Sequence, residues 1–162
     1  MLFLGIDPGK RGGWGLVDAA GGFVAADRWR DGITTLRILA PYAPRVVVCH
    51  LERVALFPRQ TKGFLVQMQS LLTSAGRWFQ ILEFLRIPYQ LIHPQTWQAA
   101  YDLYHWQRRR AKLGKPTGGY DLTPWDLAAR LWPEAGIKGP GQSGPAVGLL
   151  LAEHARRCGQ GC

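Results

Sequence analysis

Two apolar runs in this chain each end in a carboxylate. LFLGID closes at Asp7, and RVVVCHLE closes at Glu52. Either acid alone is an ordinary strand-end residue. Two carboxylates held close together and partly out of water are different, because they repel unless a proton or a cation sits between them. A hard divalent ion with oxygen ligands suits such a pair, which means Mg²⁺, or Mn²⁺ in its place. The acids share an edge only if their strands are parallel neighbours. The helical segment between the two runs is the kind of crossover that parallel pairing needs.

The elements that must position the acids follow from pattern. Residues 2–7, 12–18 and 22–29 read as three short strands, separated by DPGK and DAAGG, links short enough for an antiparallel meander. Residues 31–41 read as a helix that stops at Pro41. The run 45–52 is β-branched and too apolar for a wet face, so it belongs in the middle of a covered sheet. From 62 to 85 the period changes. Phe64, Met68, Leu71, Leu72, Ala75, Phe79 and Leu82 recur at three- and four-residue steps, the stripe of a long amphipathic helix. A strand at 88–93, a short helix from Pro94, a helix at 122–132 and a last helix at 145–157 follow. The basic, Gly-rich segment 105–120 reads as a mobile loop, and 158–162 as a frayed tail. The expected architecture is a single α/β domain over 1–162. Its mixed five-stranded sheet combines a three-strand meander with two parallel strands, and helices cover both faces.

Composition narrows the partner. Of 162 residues, 47% are hydrophobic and 19% charged, which excludes a disordered chain. Lys and Arg number 20 against 11 Asp and Glu, a formal charge of +9. An excess of that size points to a polyanion, nucleic acid ahead of a membrane surface. Three cysteines, Cys49, Cys158 and Cys162, do not make a disulfide framework. There is neither a signal peptide nor an apolar run long enough to span a bilayer, so the expected location is cytoplasmic.

LGIDPGKRGGWGLVD, VVVCHLERV, QMQSLLTSAGRWFQIL, IPYQLIHPQTW and the closing LLLAEHARR, in that order, resemble the RuvC-type Holliday junction resolvases, nucleases of the ribonuclease H-like superfamily. The resemblance covers nearly the whole chain. A GID-x-G opening is shared with sugar kinases and actin-like ATPases, but those need two such domains to close over ATP. The resemblance implies a homodimer, with helix 62–85 supplying much of its contact, that grips a four-way DNA junction and nicks two strands symmetrically. It implies two Mg²⁺ per active site, with Asp7 and Glu52 as catalytic metal ligands.

One departure stands out. The family places further acids or a histidine at the start of the last helix, and aligning LLLAEHARR puts Gly144 and Val147 at those positions. Neither side chain binds a hard cation. Around a helix Glu153 lies about 240° from Val147, whereas His154 returns to nearly the same face but roughly 10 Å farther along. Asp121, Asp126 and His154 are the remaining candidates for extra ligands. The sequence thus leaves two functions open: a junction-cutting endonuclease, and a branched-DNA binder that has lost catalysis.

Phosphate contacts are expected from Lys10, Arg11, Arg59, Lys62, Arg108, Arg109, Arg110, Lys112 and Lys115. Trp106 and Tyr120 bracket the basic loop, where aromatics stack on unpaired bases. Trp97 and Trp125 are expected to pack in the core.

Overall fold

The computed structural model describes residues 1–9, 11–54, 64–103 and 122–159, with the side chains of 64–68 excepted. Strands β1 (Leu2–Asp7), β2 (Gly13–Asp18) and β3 (Phe23–Arg28) form the antiparallel meander. Helix α1 (Gly32–Leu39) follows, N-capped by the Asp31 carboxylate, which accepts from the Thr34 amide. Then come β4 (Val46–Glu52), α2 (Phe64–Phe84), β5 (Tyr89–Ile92) and α3 (Pro94–Ala100). Helices α4 (Pro124–Leu131) and α5 (Ser143–Gly159) complete the described chain. The sheet order is β3-β2-β1-β4-β5, with β4 parallel to both β1 and β5. This is the mixed sheet the sequence implies. The expected loop at 105–120 lies outside the described residues. The tail expected to fray from 158 is instead helical as far as Gly159, and 160–162 lie outside the described residues.

Strand alternation splits the core in two. Leu2, Leu4 and Ile6 of β1, Leu16 of β2, and Cys49 and Leu51 of β4 face α1 and α2, where they meet Leu39, Trp78, Ile81 and Leu82. Phe3 of β1 and Val17 of β2 face the other way, into a cluster with Leu149, Leu150, Leu151 and Ala152 of α5. Asp7 shares the parity of Phe3, and Glu52 that of Val48, which packs against the α5 cluster. Both acids therefore belong to the α5 face.

Helix α5 lies unusually close to the sheet, and glycine is the reason. A Cβ on Gly5 would come within 2.1 Å of the Gly148 carbonyl oxygen and 2.3 Å of the Ala152 nitrogen. No side chain fits there, so β1 and α5 touch backbone to backbone. The sequence reading did not anticipate this contact.

Candidate functional site

The register of β1 against β4 decides where the acids lie. Gly5 pairs with His50 and Ile6 with Leu51. One step further along both strands sets Asp7 beside Glu52. On the far side of β4, Glu52 pairs with Ile92 of β5. The sheet thus brings together the two residues whose types suggested a cation.

Their surroundings hold each acid in place with a neutral donor. The Gly9 amide donates to Asp7 Oδ1 at 2.9 Å, a tight Asx-type turn through Pro8. The Trp97 indole N–H donates to Glu52 Oε1 at 3.3 Å. Among the described residues no Lys or Arg pairs with either carboxylate. Burial pushes Asp7 up to about 6, against the lowering effect of the Gly9 amide. Glu52 is pushed to about 8, first by burial and then by the negative charge of Asp7, with the Trp97 bond acting the other way. Two acids that resist ionisation beside one another form a site short of positive charge.

Trp97 is the residue that sequence reasoning assigned only to packing. It does pack, at 1% exposure. It reaches Glu52 because α3 starts immediately beyond β5. Pro94 opens the helix, and His93 caps it by accepting from the Gln95 amide. The signal was HPQTW opening a helix directly after the strand at 88–93; that this strand lies beside the one carrying Glu52 is given by the β4–β5 pairing.

Of the candidates for further ligands, Asp126 and His154 do not join the pair. Among the described residues no group of three His, Cys, Asp or Glu is placed to hold a metal ion. Asp126 is committed to the capping box of α4, exchanging hydrogen bonds with Thr123. His154 is buried against β4, its Nδ1 3.0 Å from that of His50. Two imidazoles in that contact share one hydrogen, and burial first, then the charge of His154, lowers His50 to about 4. Glu153 pairs with Arg156 at 2.7 Å and Arg157 at 2.8 Å. Asp121 lies outside the described residues. So do Lys10, Arg59, Lys62, Arg108, Arg109, Arg110, Lys112 and Lys115. Arg11 is exposed in the β1–β2 turn, four residues after Asp7.

At the start of α5 the missing acid is a matter of space as well as residue type. Gly144 forms a parallel bridge with Gly12 of the β1–β2 turn. A Cβ there would lie 2.3 Å from the Gly12 carbonyl carbon and 2.5 Å from the Arg11 carbonyl oxygen. A carboxylate at 144 is incompatible with this seam. Val147 is nearly buried and packs in the α5 cluster. Asp7 and Glu52 therefore fit one hard cation with water completing its shell. Among the described residues these two acids are the carboxylates that meet at this edge, and Asp121, a candidate for a further ligand, lies outside them.

A five-stranded sheet of this order and mixed sense, with an acid pair at the ends of β1 and β4, defines a ribonuclease H-like α/β domain. Two solved structures share the fold along almost its full length. One is T. thermophilus RuvC in complex with Holliday junction substrate, 15% identical with a TM-score of 0.62, covering 99% of this chain and 96% of that chain. The other is a Thermus thermophilus RuvC structure, 18% identical with a TM-score of 0.62, covering 99% of this chain and 97% of that one. No family model and no curated protein sequence matches the chain. The resemblance read from the motifs thus holds at the level of the fold.

Proposed function

We propose that this chain is a RuvC-type junction endonuclease that holds a divalent cation between Asp7 and Glu52. The acid pair carries the reading. Two neighbouring carboxylates are desolvated, held by neutral donors and unpaired with any described cationic side chain, so a metal ion relieves a repulsion the fold otherwise retains. Such an ion, when bound, polarises a phosphate oxygen and makes its bound water more acidic. The chain's own part is to present Asp7 and Glu52 at fixed separation and to limit water around them. Arg11, with the basic residues of 105–120, would contact phosphates of a four-way DNA junction and orient the backbone over the acids. A homodimer through α2 belongs to the same reading, and its support is the exposure of Leu72 and Phe84 on that helix.

A second reading is favoured by the Gly12–Gly144 seam. With the start of α5 closed to a third ligand, the chain would bind branched DNA and leave it intact. One experiment addresses both. An end-labelled four-way junction is incubated with the protein in Mg²⁺ and in Mn²⁺, beside an Asp7→Asn control, with a gel shift in parallel. Symmetric nicks lost in the control support the endonuclease. Tight, junction-selective binding without nicks supports the binder. Equal affinity for junction and for duplex of the same length overturns both.

A further inference from the structure

We infer that Trp97 is a positioning residue for the cation, acting through Glu52; this rests on the cation reading of the acid pair. Ile92 lies opposite Glu52 in the sheet, His93 caps α3, and the first turn of α3 brings the Trp97 indole back to the Glu52 carboxylate. The ring itself is locked in the cluster that contains Leu149, Leu150 and Leu151 of α5. A buried indole with so many neighbours cannot follow a mobile carboxylate, so the carboxylate is held by the indole.

The chemistry of the donor points the same way. A lysine or arginine in the same place would fix Glu52 and also neutralise it. The indole N–H fixes Oε1 and brings no charge of its own, and the Gly9 amide does the same for Oδ1 of Asp7. Each acid thus has one oxygen engaged by a neutral donor. Among the described residues no other donor reaches either carboxylate, which leaves Oε2 and Oδ2 to a cation. Groups of this kind around a metal site commonly alter affinity by 10–100-fold when removed.

The test is Trp97→Phe, which keeps an aromatic ring and removes the N–H. Mn²⁺ binding is measured by the loss of the free-ion electron paramagnetic resonance signal, with no DNA present, alongside the melting temperature. Weakening of Mn²⁺ binding by about tenfold, in a protein still folded at the assay temperature, is the expected result. Unchanged Mn²⁺ affinity in Trp97→Phe, where Asp7→Asn abolishes binding, overturns the inference and leaves the cation reading standing. Failure of the unmodified protein to bind Mn²⁺ overturns both. If Trp97→Phe does not fold, the indole ¹⁵N–¹H resonance of Trp97 in the unmodified protein is followed instead. Movement on Mg²⁺ addition and in Glu52→Gln supports the inference, and a resonance indifferent to both overturns it.

Discussion

Replacing Glu52 with Gln should make the protein more stable at neutral pH, although it removes a residue placed at the centre of the site. The side chains have nearly the same shape, and a Gln carbonyl oxygen still accepts from the Trp97 indole. What changes is the charge. Glu52 ordinarily ionises near 4.5, and in the fold it is pushed to about 8 by burial and by Asp7. A carboxyl with a raised pKa adds stability that is complete below the unfolded value and is lost as pH rises through the folded one. The affected window is therefore pH 4.5 to 8. At pH 7 the folded protein retains a proton that the unfolded chain has released, at a cost on the order of 2–3 kcal/mol after allowance for solvent at this half-buried group. For a domain of this size that corresponds to about 5–10 °C in Tm. The assay is thermal unfolding of the wild-type protein and Glu52→Gln in chelator, from pH 4.5 to 8. The variant should melt higher at pH 7–8, and the two curves should converge toward pH 4.5. Millimolar Mn²⁺ should raise the wild-type Tm and leave the variant where it was. A variant that melts below wild type across pH 7–8 refutes the argument that the acids repel one another in the folded protein.

Three further outcomes follow from the same geometry. Gly144→Asp introduces an acid at the start of α5, yet its Cβ would overlap the Gly12 and Arg11 backbone. It should cost about 3 kcal/mol or more and gain no Mn²⁺ affinity, measured by denaturant unfolding and ion binding. The His50–His154 pair contributes to the acid limb. His50 is lowered from 6.5 to about 4, so its contribution is intact above pH 6.5 and is lost as pH falls toward 4. His50→Gln should flatten the fall in stability over that window by about 2 kcal/mol, read from urea midpoints at pH 7 and pH 4.5. Junction affinity should fall steeply with salt, by on the order of 10³-fold between 50 and 200 mM if six or more phosphates are contacted. A shallow slope in a fluorescence-anisotropy titration would count against backbone contacts from the basic residues.

The order of strands and helices was legible from the amino acids alone. Period-two apolar runs, the three- and four-residue stripe of α2 and the Pro and Gly breaks are local signals, and local backbone physics obeys them. The acid pair was legible for a related reason: a crossover between two apolar strands makes them parallel neighbours, and strands entered from the same end finish at the same edge. Its closeness, however, depended on register. Gly5 opposite His50 sets Asp7 beside Glu52, and a shift of one residue would have turned one acid to the other face.

The remainder was decided by contacts between residues far apart in the chain. Trp97 and Glu52 are 45 positions apart, and only the pairing of β4 with β5 brings the indole to the carboxylate. Helical angles placed His154 on the side of Val147, and the fold spends its ring on His50, 104 positions away. Gly5 of LFLGID and Gly13 and Gly15 of GWGLVD were in plain view, but their meaning appears only when the start of α5, with Gly144 and Gly148, closes over them. A glycine states that no side chain is present. Whether the space it leaves is taken by water, a ligand or another backbone is set by what packs there, and here the backbone of α5 fills it.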